Sequence, residues 1–297
     1  MPASRKKARV GNDCVACGRC VCECPVGAIS IYKGLRAVID ERRCVACENC
    51  AKACPAGVIY MAPEAGAADV NAGAEDIAAA ETGVAHATAA AGDNAARTKA
   101  ARAKAAPAKK KRWYDYLWIF SSVYLALGFF NILFAWLGMA CFLTPLLISI
   151  IGGSKAYCNK YCGRGQLFEL IGGKIGLSPK RVPPRFLRSK WFRYGFLTFF
   201  MTMFGLMVFN TYLVFAGAPL TESVTLLWVF KLPWHWTKTA AVSPWIAQYA
   251  FGFYGVMLTS TVLGLATMAL FKPRSWCAYC PMGTMTQGIC ALKNTKK

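Results

Sequence analysis

Apolar positions are spread unevenly along this chain. Up to residue 61 they come in short runs, Ala28–Ile31, Arg36–Ile39 and Val58–Met61, set among charges and cysteines. The first two runs flank Lys33-Gly34, which predicts a strand hairpin, and the third predicts another strand. From 62 to 108, 22 of 47 positions are alanine. Alanine favours helix, yet this stretch has almost nothing to bury, so it is expected to be mostly disordered. Leu117–Ile151 then runs for 35 residues without a charge. One membrane helix needs only about 20, so two short helices turning near Gly138 are expected. Further apolar spans cover about 192–216 and 246–271, giving four expected membrane helices.

Charge sets the expected topology. The chain holds 35 Lys and Arg against 14 Asp and Glu, a formal net charge of +21, with a mean hydropathy of +0.35. Much of the excess flanks the apolar spans, where positive-inside topology and anionic lipid favour it, so a nucleic-acid partner is not indicated. Ten Lys and Arg fall in 155–193 but two in 217–245. The basic first ten residues are followed by no apolar signal region. A multi-pass protein of the cytoplasmic (inner) membrane is expected, with both termini and the N-terminal domain in the cytoplasm.

Cysteine carries the chemistry. Nine of the 15 cysteines lie between Cys14 and Cys54. In a reducing cytoplasm such density means metal ligands rather than disulfides. The spacing C-x2-C-x2-C-x3-C-P occurs twice, as Cys14, Cys17, Cys20, Cys24, Pro25 and as Cys44, Cys47, Cys50, Cys54, Pro55, a repeat of 30 residues. Short two-residue gaps let three thiolates wrap one face of an iron–sulfur cube, while a fourth must approach from elsewhere. Zinc also takes paired C-x2-C sites, but seldom with the third cysteine, the three-residue gap and the proline. Cys22 departs from the simplest pattern and is expected to be a spare thiol.

Residues 11–61 resemble bacterial two-cluster ferredoxins. The resemblance implies an α+β ferredoxin-like fold, one-electron transfer, and two 4Fe–4S clusters that exchange their fourth ligand. One would use Cys14, Cys17, Cys20 and Cys54, the other Cys44, Cys47, Cys50 and Cys24. The expected organisation is thus a ferredoxin domain over 1–61, an Ala-rich linker with a basic juxtamembrane end over 62–112, and an all-α membrane domain of about four helices over 113–297.

A second cysteine set follows the membrane spans, Cys158 and Cys162 in YCNKYCGRGQLFELIG and Cys277 and Cys280 in WCAYCPMGTMTQGIC. In the expected topology both pairs lie at the cytoplasmic membrane surface and could hold a third cluster, with Cys290 a further candidate. Cys141, inside a span, is expected to pack. These segments resemble the NapH/NosR type of 4Fe–4S membrane protein over about 113–292. That type usually carries C-x3-C-P. Here Gly163 replaces the first proline, the second motif is one residue shorter, and the ferredoxin repeat comes before the membrane part.

Only His86 and His235 occur in the chain, both outside the spans, so no bis-histidine haem is expected and no catalytic residue is named. No dinucleotide-binding glycine motif follows a strand. The resemblance implies an electron-transfer subunit of a membrane oxidoreductase complex. Electrons would pass between the quinone pool, or an extracytoplasmic redox partner, and cytoplasmic clusters. Alternatives are metal reduction for metallocentre assembly, as in CcoG-type proteins with similar membrane cysteine motifs, and a redox-sensing membrane regulator.

Overall fold

The computed structural model describes residues 6–63, 113–179, 181–227, 229–234 and 242–295. The alanine-rich linker from 64 to 112, His86 and His235 therefore lie outside the described residues.

The N-terminal part is two similar halves. Strand β1 (Lys6–Val10) pairs antiparallel with β4 (Ile59–Pro63), placing Val10 opposite Ile59. Between them come α1 (Arg19–Glu23), β2 (Ile29–Tyr32), β3 (Arg36–Ile39) and α2 (Asn49–Ala53). The β2–β3 hairpin turns where expected, with Lys33 (φ 47°) and Gly34 (φ 70°) both left-handed, as a type I′ turn requires. The sequence alone did not indicate β1. Its KKARV reads as a basic tail, yet Ala8 is buried and the Lys7 ammonium donates to the Cys44 carbonyl at 2.9 Å.

The rest is mainly helical: α3 (Leu117–Phe130), α4 (Leu137–Gly152), α5 (Gly163–Glu169), α6 (Lys190–Phe215), α7 (Pro244–Leu270) and α8 (Pro281–Thr295). Among the described residues, three helices are long and apolar enough to cross a membrane: Ile132–Gly152, which joins a 3₁₀ turn to α4, then α6 and α7. Helix α3, with 14 residues, rises roughly 21 Å, short of a hydrocarbon core of about 30 Å. The turn expected near Gly138 comes earlier, at Asn131, whose side chain accepts from the Leu133 amide at 3.0 Å. Gly138 instead permits close packing, since a Cβ there would lie 2.5 Å from the Tyr124 hydroxyl and 2.7 Å from Phe253.

Helix α7 is the most enclosed span, with Ala247, Ala250, Phe251 and Phe253 fully buried. Where only an outer loop was expected, a hairpin of β5 (Ser223–Leu226) and β6 (Phe230–Pro233) lies along α7. The Gln248 side chain accepts from the Thr221 amide at 3.0 Å, and Thr259 accepts from the Leu227 amide at 3.3 Å. Such bonds satisfy backbone that helical structure would otherwise satisfy itself.

The two parts share one core. Buried Cys20, Ile29 and Cys54 belong to the same cluster as Phe168, Met268, Trp276 and Tyr279. Polar side chains from the helical part meet the ferredoxin-like backbone: Gln287 donates to the carbonyls of Cys14 (3.1 Å) and Leu35 (2.7 Å), Arg188 to Ala56 (2.8 Å) and Lys272 to Cys54 (3.3 Å). These contacts fix how the cysteine loops face the membrane helices.

Candidate metal centres

The N-terminal cysteines form two groups. Burial pushes the Cys17 thiol up to about 11, with the charges of Cys54 and Cys14 adding to the effect. Burial also raises Cys20, which feels Cys17, Cys14 and Cys54. Cys14, Cys17, Cys20 and Cys54 are therefore neighbours. Cys24, Cys44, Cys47 and Cys50 instead line one small cavity of about 20 Å³. This grouping follows from packing of α1 against α2, which brings the end of each motif to the start of the other.

The two loops curl alike. Ala16 (φ 49°) matches Ala46 (φ 53°), and Gly18 (φ 75°) matches Glu48 (φ 60°). Left-handed non-glycine residues cost about 1 kcal/mol or more, and such strain gathers at functional sites. Backbone amides also donate to sulfur, Ala28 to Cys24 at 3.2 Å and Ala37 to Cys14 at 3.4 Å. Cys22 is exposed on α1.

The later cysteines converge as well. Cys158 lies in a π-helical turn, Tyr157–Tyr161, after α4. Cys162 caps α5, its sulfur accepting from the Gly165 amide at 3.4 Å. Cys277 lies in the 3₁₀ turn Ser275–Ala278, and Cys280 directly precedes α8. All four line one cavity of about 140 Å³, far more than a single water-sized guest needs. Burial raises Cys158 to about 11 and also raises Cys277 and Cys280. Cys17 lines the same cavity.

Two cations, Lys155 and Arg164, line this cavity, and a third, Arg274, lies beside Cys162 and Cys277. The Lys155 side chain is buried and donates to the Val15 carbonyl at 2.8 Å. Arg164 reaches Ser260 Oγ at 2.5 Å and Met257 Sδ at 3.1 Å, both neutral. Arg274 pairs with Glu169 at 3.1 Å. From the sequence these residues counted only towards the cytoplasmic charge excess. Nothing in it tied them to the cysteines.

Gly163, where the related motif has proline, is sterically required: a Cβ there would lie 2.5 Å from the Leu117 carbonyl oxygen. Cys290 is not on this cavity. It is fully buried beneath the hairpin tip, its sulfur 3.0 Å from where a Gly34 Cβ would stand. Cys141 does line the cavity and hydrogen-bonds with the Tyr157 side chain. A packing role alone had been expected for it.

Among the described residues, no three His, Cys, Asp or Glu side chains converge as they would around one metal ion. Thiols spread over a cavity suit a four-iron cube, whose ligands bind separate irons, better than a single tetrahedral zinc. Residues 13–58 match the family model of the 4Fe–4S dicluster domain. The dicluster region spans both cysteine motifs, so the N-terminal part is a ferredoxin-like iron–sulfur domain that binds 4Fe–4S clusters. No curated protein and no solved structure matches the chain. The residues fit the group: the donors are all thiols, amides point at the sulfurs of Cys14 and Cys24, and burial leaves Cys17 and Cys20 reluctant to ionise unless a cation binds.

Proposed function

We propose that this chain is a membrane-bound electron-transfer protein in which three thiol sets hold three 4Fe–4S clusters. Cys14, Cys17, Cys20 and Cys54 would hold the first, Cys44, Cys47, Cys50 and Cys24 the second, and Cys158, Cys162, Cys277 and Cys280 the third. The observation that carries the reading is the presence of Cys17 on the wall of the cavity lined by the third set. When bound, such clusters supply one-electron transfer at potentials set by charge, hydrogen bonds and burial.

The chain's own residues supply those settings. Lys155, Arg164 and Arg274 offset the negative charge that four thiolates bring to an enclosed site. Phe196, Trp276 and Tyr279 pack edge-on into an aromatic wall beside Cys277 and Cys280, with Trp276 and Tyr279 buried. Docking bonds from Gln287 and Lys155 hold the loop of the first set against the third.

The apolar helices support membrane localisation. In our reading α3 and α4 form a hairpin, giving four membrane helices with both termini and all three thiol sets on the cytoplasmic side. The chain would serve as the electron-transfer subunit of an oxidoreductase complex of the NapH/NosR type. It would relay electrons between the quinone pool, or a partner across the membrane, and a cytoplasmic-side protein. The test is iron and acid-labile sulfide per chain after anaerobic purification. About twelve of each is the expected result. About eight would remove the third cluster from the proposal, and stoichiometric zinc without iron would overturn it.

A further inference from the structure

Arg274 combines three features that rarely meet in one residue. It is a non-glycine residue in the left-handed region, at φ 64°. Its side chain is nearly buried, with 12 % of its surface exposed. Its guanidinium carbon and the Cys162 sulfur lie 3.9 Å and 3.5 Å from where a Gly165 Cβ would stand, and its charge also reaches Cys277 of the third set and Cys17 of the first. The local backbone is pinned, since the Arg274 carbonyl accepts from the Cys277 amide at 2.8 Å and Lys272 accepts from Ser275 at 3.1 Å. The chain thus tolerates a strained, left-handed backbone at this position, three residues before Cys277.

Glu169 is the opposing charge. One of its oxygens meets Arg274 at 3.1 Å and the other meets Arg19 of α1 at 2.7 Å. Arg19 lies between Cys17 and Cys20. A single carboxylate therefore ties the cation at the third set to the helix that carries the first.

Resting on the three-cluster reading, we propose that Arg274 is a positioning residue that sets the reduction potentials of the first and third thiol sets together, with Glu169 acting against it. Adding one electron to either site adds one negative charge near a fixed cation, and the poorly solvated surroundings make that interaction strong. Arginine keeps its proton throughout, so no proton moves with the electron. Because the same cation favours the electron at both sites, it raises both potentials and leaves the step between them nearly level.

The test uses the full-length protein in detergent, with the potentials of the separate clusters followed by electron paramagnetic resonance during redox titration. Arg274→Gln is expected to disfavour reduction of both the first and third sets at least tenfold each, about 59 mV per one-electron site, leaving the second set unmoved. Arg274→Lys is expected to restore most of that loss. Glu169→Gln is expected to shift the same two sets in the opposite direction, which a merely structural role would not produce. If Arg274→Gln fails to retain iron, the Glu169→Gln shift decides. Equal potentials in all variants, or a shift confined to one set, would overturn the proposal while about twelve irons per chain left the three-cluster reading standing. About eight irons in the unmodified protein would overturn that reading, and the proposal with it.

Discussion

Lys155 and Val15 are 140 positions apart in sequence, yet the ammonium of one meets the carbonyl of the other at 2.8 Å in a buried setting. The bond runs from the segment after α4 to the loop that carries Cys14 and Cys17, so it fastens the ferredoxin-like part to the helical part where two thiol sets meet.

Replacing Lys155 by methionine keeps the bulk of the side chain and removes that bond. A hydrogen bond from a charged group contributes about 1.5–3 kcal/mol. Amide hydrogen exchange across residues 14–17 is expected to accelerate by roughly tenfold or more, while β5–β6 keeps its protection. Unchanged exchange in the loop would show that the ammonium does not hold it.

Gly163→Ala places a methyl group against the Leu117 carbonyl oxygen, at 2.5 Å, with backbone on both sides of the contact. Overpacking of this kind costs about 1–3 kcal/mol. Gly205 on α6 is the control, since a Cβ there meets nothing within 4 Å. Alanine at 205 is expected to be neutral or to stabilise by up to about 1 kcal/mol, as alanine replaces glycine within a helix. Thermal unfolding in detergent should order the two variants on opposite sides of the unmodified protein.

Removing iron while the protein stays folded exposes the cost of burying free thiols. Cys17 and Cys158 ionise near 11 rather than at the ordinary 9.0. At pH 8 they should alkylate about a hundredfold more slowly than an ordinary thiol, because only the thiolate reacts. The sign for stability follows. A folded-state value above the unfolded one leaves full stability below pH 9, which is lost progressively as pH rises from 9 to 11. Rate against pH, resolved by peptide mass spectrometry, checks both statements.

Topology can be read with an impermeant thiol reagent on intact cells. Ala218 follows α6 and is exposed, and Leu177 precedes it and is 58 % exposed. A cysteine at 218 is expected to label from outside and one at 177 only after lysis. The reverse pattern would invert the proposed orientation.

Much of the first site was legible because its information is local. The two- and three-residue gaps between cysteines and the trailing Pro25 and Pro55 specify ligand loops without reference to anything distant. Strand β1 was not legible, because its reason for being a strand lies in residues 59–63. The helix break was placed at Gly138 because glycine is the usual interrupter, whereas Asn131 breaks the helix through its own side chain and Gly138 serves Tyr124 and Phe253. The pairs at 158/162 and 277/280 could be seen as thiols in need of a partner. That they share a cavity with Cys17, Lys155 and Arg164 depends on docking between segments that spacing cannot relate. The β5–β6 hairpin was hidden for the same reason, since its supports, Gln248 and Thr259, belong to α7.

The cavity that gathers Cys17, Cys158, Cys162, Cys277 and Cys280 draws on nearly the whole length of the polypeptide. Ribosomes deliver Cys17 well before Cys280, which emerges only after α7 has been made. The two ferredoxin-like sets are complete once Cys54 has emerged, so they can be loaded while synthesis continues. The third set exists as a site only once Cys277 and Cys280, which follow α7, have been made and packed against the earlier pair. Biogenesis therefore has an inherent order, and a product ending before Cys277 would keep the thiols of both ferredoxin-like sets yet lack two of the third.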